Sequence, residues 1–151
     1  MMGDDRWLAW YAQAKMNARL TERIADEMER RTGLPAAWCE VLANLKELPK
    51  RMNELADDLI LSRGGATRLI ARMEEAGLVE RQTPPHDRRA TFAVITDAGR
   101  EAVERAFPVH LEVVDEVYGR HIDADEAETV VGVAARVCAA HGWPAKLPAD
   151  A

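Results

Sequence analysis

The sequence predicts a mainly α-helical chain with a small β-wing, a winged helix-turn-helix flanked at both ends by further long helices. Three observations carry that prediction. Apolar residues recur at three- and four-residue steps through most of the chain, the period of helices with one buried face. A short helical segment, Met52 to Leu59, meets the tight turn Ile60-Leu61-Ser62 and then a second, arginine-studded helical segment. Two strand-like stretches, Leu78 to Thr83 and Thr91 to Ile95, bracket the basic turn Pro84-Pro85-His86-Asp87-Arg88-Arg89.

Each element has a local reason. Asp5 to Arg31 forms a first long helix on the stripe Trp7, Tyr11, Ala14, Ala18, Ile24, Ala25 and Met28, and Gly33 stops it. Pro35 opens a second helix through about Lys46, with Trp38, Val41, Leu42 and Leu45 on its apolar face. In the third helix Leu55, Ala56 and Leu59 point inward, and the small Ala56 lets the next helix cross closely. Ser62 is a good N-cap for Arg63 to Glu75, whose buried face is Ala66, Leu69, Ile70 and Met73 and whose end is marked by Gly77. Thr96 or Asp97 caps a long fifth helix with one broad apolar face, Ala98, Val103, Phe107, Leu111, Val114 and Val117. Pro108 inside it removes a backbone hydrogen bond and predicts a kink. After a hinge at His121-Ile122, Asp123 and Glu126 make a capping box for a last helix carrying Ala127, Val130, Val131, Ala134, Val137 and Cys138. It ends at Gly142, and the proline-containing tail from Trp143 reads as irregular.

At 151 residues, with 48% hydrophobic but only 5% aromatic content, the chain fits one helical domain built on Ala, Leu and Val. No apolar run approaches the ~20 residues that span a bilayer, and no signal peptide is evident, so a cytoplasmic protein without a membrane partner is expected. Cys39 and Cys138 fit no metal or CxxC spacing, and His110 and His121 make a poor zinc constellation; no metal and no cofactor are expected. An enzyme is not expected either: Ser62 and Cys39 have no histidine at a motif spacing, and there is no glycine-rich phosphate loop. The net charge of −6 is unevenly spread. Residues 62–90 carry six arginines against four acids, so the rest of the chain holds −8. A basic stripe on an acidic body binds phosphate locally and is repelled elsewhere, which orients it.

Leu61-Ser62, Thr67-Arg68-Leu69, Gly77-Leu78-Val79-Glu80-Arg81, Asp87-Arg88-Arg89 and Thr96-Asp97-Ala98-Gly99, in that order and spacing, resemble the multiple antibiotic resistance regulator (MarR) family of bacterial transcription factors. The resemblance implies one domain over 1–151, with a DNA-binding lobe at 36–100 and dimerisation helices at 5–31 and 101–142. It also implies a short third strand near residues 50–52. The function implied is a sequence-specific repressor that binds a pseudopalindrome in double-stranded DNA as a homodimer and is released by a small aromatic or phenolic effector.

By the same resemblance Ser62, Thr67 and Arg72 touch phosphates, while Arg63 and Arg68 are candidates for base edges. Gly64, followed by Gly65, either lets the backbone approach DNA closely or frays the first turn. In the wing Asp87 orients Arg89 for the minor groove and Arg88 neutralises a phosphate. Trp10, Trp38 and Leu42 are the candidate effector residues. Two alternatives accompany this reading. One is a winged-helix protein-interaction module that does not bind DNA. The other is a cysteine-based redox sensor, although Cys39 lies in the second helix and redox-sensing relatives carry their cysteine near the start of the first.

Overall fold

The computed structural model describes residues 5–143, so the tail beyond Trp143 lies outside the described residues. The chain folds in the order α1 (Asp5–Thr32), α2 (Ala36–Leu45), β1 (Lys50–Arg51), α3 (Met52–Asp58), α4 (Arg63–Glu75), β2 (Val79–Gln82), β3 (Phe92–Ile95), α5 (Asp97–Val117) and α6 (Ala124–His141). One 3-10 turn, Gly119–His121, sits at the expected hinge between α5 and α6. The sheet is antiparallel in the order β1-β3-β2, with Lys50 opposite Ala93 and Val79 opposite Ile95. The two-residue β1 is the short third strand that the family resemblance implied.

The caps explain the boundaries. Ser62, Thr96 and Asp123 each accept a backbone N–H three residues on, which satisfies a donor the helix start leaves over. Gly77 follows α4 with φ +74°, a left-handed conformation that glycine adopts without steric cost. Pro35 precedes α2 as its N-cap, one position earlier than a first-turn residue. Pro108 does not end α5, which runs through it from Asp97 to Val117.

The core lies under the winged helix. Met28 of α1, Val41, Leu42 and Leu45 of α2, Leu55 of α3, Ile70 and Met73 of α4 and Val103 of α5 are all at most 2% exposed. The broad face of α5 is covered unevenly. Val103, Ala106 and Val113 turn into the core, whereas Phe107 and Leu111, on the flank of the same face, remain 36% and 44% exposed.

Helices α1 and α6 are more open still. Of α1 only Glu27 and Met28 are buried, and the Trp7 and Tyr11 end of its stripe is exposed. Helix α6 has no buried residue. Val130, Val131 and Val137 on it stand 39–49% exposed.

Where α1 meets α5 an ion-pair cluster is built around a buried carboxylate. Glu27 is 7% exposed and accepts from Arg30, and from Arg31 at 3.1 Å, with Arg23 at 3.0 Å. Arg31 also reaches Glu116 on α5. The hydrogen bond from Arg30 leads the causes that hold the Glu27 carboxyl below its ordinary range, and the bond from Arg31 does the same for Glu116. The sequence reading did not anticipate this cluster.

Candidate nucleic-acid interface

The turn between α3 and α4 is closed by backbone bonds. Leu59 N–H donates to Leu55 O at 3.0 Å, and Leu61 N–H reaches back to Ala56 O at 2.8 Å. Ala56 is 2% exposed at the crossing, the place its small side chain predicted. Helix α4 then starts with Ser62 Oγ accepting the Gly65 N–H at 3.0 Å. A Cβ on Gly65 would lie 3.1 Å from that Oγ, so the missing side chain leaves room for the cap. Helix α4 begins at Arg63 with its cap made.

Behind α4, Ala66, Ile70 and Met73 are buried; outward, Arg63, Gly64, Thr67, Arg68 and Arg72 are exposed. Thr67 Oγ1 donates to its own helix, to Arg63 O at 2.8 Å. The side chains of Arg63 and Arg68 make no ion pair among the described residues. Arg72 has an aromatic partner instead, its guanidinium carbon 6.0 Å from the centroid of the Trp38 ring. Arg81, counted in the basic stripe, is tied down. It pairs with Glu74 through Nε at 2.9 Å and a terminal nitrogen at 2.7 Å, and its backbone N–H donates to the same carboxylate at 3.1 Å. That pair straps β2 to α4, and the Arg81 hydrogen bonds hold the Glu74 carboxyl below its ordinary range.

In the wing, Asp87 N–H donates to Pro84 O at 3.2 Å and Ala90 N–H donates to Asp87 O at 3.2 Å. Asp87 Oδ1 accepts the backbone N–H of Arg89 at 3.1 Å, so the aspartate shapes the turn through the backbone and leaves both arginine side chains exposed. At the wing's base Thr96 donates its hydroxyl to Gly77 O at 2.7 Å and its N–H to Leu78 O at 3.1 Å. This joint fixes the wing relative to α4.

A model of the MarR family matches residues 32–90, the stretch from the end of α1 to the wing tip. The solved structure of AbsC, a MarR family transcriptional regulator from Streptomyces coelicolor, is 27% identical with a TM-score of 0.82, covering 91% of this chain and 95% of AbsC. Sco3205, a MarR family transcriptional regulator from the same organism solved in complex with DNA, is 25% identical with a TM-score of 0.84, covering 98% of this chain and 94% of Sco3205. The chain is similar to the MarR family over residues 32–90 and in its overall fold. Among curated relatives, the HTH-type transcriptional regulator MhqR of Bacillus subtilis is 33% identical over 66 residues, 44% of this chain. The match spans less than half of the curated relatives above 30% identity, 40% of one and 46% of MhqR.

Against that MarR frame, the three candidate effector residues are scattered in exposure. Trp10 is 62% exposed on α1, Leu42 is wholly buried in the core, and Trp38 is half-buried beside Arg72. An open cleft of about 300 Å³ is lined by Asn17, Leu20, Thr21, Ile24, Val114 and Tyr118, none of the three. Cys39 is 1% exposed, and burial pushes its thiol up to about 11, so thiolate is scarce at neutral pH. That chemistry suits a buried inert thiol rather than a redox sensor. Among the described residues no helix is long and apolar enough to cross a membrane.

Sequence reasoning missed two features of this interface. The Trp38–Arg72 contact joins α2 to α4 and had no signal, since the residues are far apart in the chain. Ile60, in the turn, carries φ +55°, which no propensity rule assigns to isoleucine.

Proposed function

We propose that this protein is a sequence-specific DNA-binding transcriptional regulator, acting as a two-fold homodimer on a pseudopalindromic operator. One observation carries the reading: α4 is anchored by Ala66, Ile70 and Met73 and turns Arg63 and Arg68 outward, exposed and without an ion pair among the described residues. Such a helix fits the major groove, where arginine pairs bidentately with guanine. Ser62, Thr67 and Arg72 flank it for phosphates, Gly64 allows close approach, and the wing offers Arg88 to a phosphate and Arg89 to the minor groove, with Asp87 shaping the turn. The DNA complex of Sco3205 supports this use of the fold.

In this reading residues 36–100 form the DNA lobe, and 5–31 with 101–142 form the dimer stem. The exposed apolar faces of α1, α5 and α6 support that division, since a second copy would cover them. Two-fold symmetry then sets two α4 helices about one DNA turn, ~34 Å, apart. We further propose repression in the cytoplasm, relieved by a small aromatic or phenolic effector held by the ring faces of Trp10 and Trp38. Leu42, wholly buried, would join only if the core opened. The test is fluorescence anisotropy with duplexes from the DNA flanking the gene, titrated from 50 to 200 mM salt, about the range over which phosphate-driven binding weakens steeply. Tight, salt-sensitive binding is expected. No binding to any duplex at low salt would refute the reading.

A further inference from the structure

Ile60 combines two features that work against a stable subunit. Its φ of +55° makes it the single non-glycine with positive φ among the described residues. A β-branched side chain is poorly suited to that left-handed region. The residue follows the last turn of α3, where Leu61 N–H closes on Ala56 O and where glycine is the usual occupant. Its side chain is also 93% exposed, the most open of the large hydrophobics in the described chain. Leu55, Ala56 and Leu59 take the inward positions of the α3–α4 contact, and the left-handed turn keeps Ile60 out of it. Backbone bonds hold the strained turn, Ile60 N–H to Asp57 O at 3.2 Å and Leu61 N–H to Ala56 O at 2.8 Å, while the apolar side chain stays uncovered among the described residues.

The position says what could cover it. Ile60 stands two residues before the Ser62 cap, at the end of α4 that carries Arg63 and Gly64. The N-terminal residues of a recognition helix are the ones brought to the base edges. We propose that Ile60 is a DNA-contacting residue, whose side chain lies against apolar DNA surface, a thymine methyl or deoxyribose C–H groups, when α4 docks. This inference rests on the reading of α4 as the recognition helix. It accounts for an isoleucine at a glycine site: the strain and exposure persist because the side chain is used in the complex.

The proposal makes stability and binding move in opposite directions. The test uses the full chain and a duplex selected by the wild-type protein from a random library. Ile60→Gly relieves the strain and should raise the melting temperature, yet weaken binding about tenfold, since each half-site loses a buried apolar contact. Ile60→Asn, which tolerates the same backbone, should lose affinity alike, and Ile60→Val should stay within about threefold of wild type. Replacing each thymine of the duplex by deoxyuridine separates the two DNA surfaces. A position where loss of the methyl weakens wild type but not Ile60→Gly identifies a thymine contact; loss of affinity in Ile60→Gly with no such position identifies the sugar. If wild type binds its selected duplex and Ile60→Gly binds it equally well, the inference falls while the DNA-binding reading stands. If wild type selects no duplex at all, both fall.

Discussion

Three glycines in helices, Gly64, Gly65 and Gly99, give a single substitution, to alanine, three different signs. In an open helix position the change gains up to ~1 kcal/mol, because glycine loses the most backbone freedom on folding. At Gly64 the new Cβ would meet only a guanidinium nitrogen of Arg68 at 3.6 Å, an ordinary contact with a flexible group, so the full gain is expected. At Gly65 the Cβ lies 3.1 Å from Ser62 Oγ. Part of a cap worth ~1 kcal/mol is then lost, and the net should be near zero. At Gly99 the Cβ would stand 2.0 Å from Leu78 O and 3.0 Å from Ile95 Cγ1. The backbone oxygen cannot step aside without moving β2 away from α5 by more than an ångström. That movement breaks the joint in which Thr96 N–H meets Leu78 O at 3.1 Å, Thr96 Oγ1 meets Gly77 O at 2.7 Å and Gly99 N–H meets Thr96 Oγ1 at 3.0 Å. Three hydrogen bonds at ~1 kcal/mol each, and overpacking of ~1–3 kcal/mol, less the helix gain, leave a loss of about 3–5 kcal/mol. Urea unfolding at one fixed protein concentration measures it, the concentration being held because the stability of the proposed dimer would follow mass action. A Gly99→Ala variant within ~0.5 kcal/mol of wild type, a typical surface effect, would refute the close α5–β2 joint.

Further outcomes follow from other parts of the molecule. Arg68→Ala should cost ~1–3 kcal/mol at the selected site and relax preference at one base pair per half-site, whereas Arg72→Ala should weaken all sequences alike and lower the salt slope; binding titrations over sequence and salt separate the two. Val137→Asp, on the exposed face of α6, should bury an unpaired charge in the proposed dimer stem, and light scattering should report monomer where wild type is dimeric. Glu27→Gln should lower the melting temperature at neutral pH by removing the carboxylate that Arg23, Arg30 and Arg31 share. Because the folded pKa of Glu27 lies below its ordinary 4.5, the contribution is complete above 4.5 and is lost as pH falls through the folded value. The gap between variant and wild type should therefore narrow in acid, and a gap that widened there would contradict the assignment.

The elements were legible because their signals are local. Ser62, Thr96 and Asp123 cap helices where hydroxyl or carboxylate chemistry predicts, and Gly77 and Gly142 end them in left-handed turns. Helix bounds agree with the periodicity to a residue or so. What periodicity could not show is which part of an apolar face is covered: Val103 and Phe107 share one helix and one pattern, yet one is buried and the other open. Contacts distant in sequence were invisible for the same reason. Arg31 and Glu116 are 85 residues apart, and Trp38 meets Arg72 through a fold that neither residue encodes locally. The outward arginines of α4 and the wing were readable as a set. That Arg81 is withdrawn from it by Glu74 was not.

That withdrawal removes one charge of each sign, so residues 62–90 keep their excess of two positive charges within a chain of net charge −6. Two of the acids within the basic segment are already engaged: Glu74 is held by Arg81, and Asp87 accepts a backbone N–H of the wing. The arginines that point outward, Arg63, Arg68, Arg72, Arg88 and Arg89, make no ion pair among the described residues. Charges on the acidic remainder act through solvent, where interactions fade over a Debye length of ~8 Å at physiological ionic strength. A phosphate seated against α4 or the wing is within that distance of the arginines there. The local excess of arginine, rather than the total charge, therefore sets the sign of the potential around α4 and the wing. The same acids on the stem oppose any approach to DNA by the wrong face, which makes the negative net charge part of the orientation rather than an obstacle to binding.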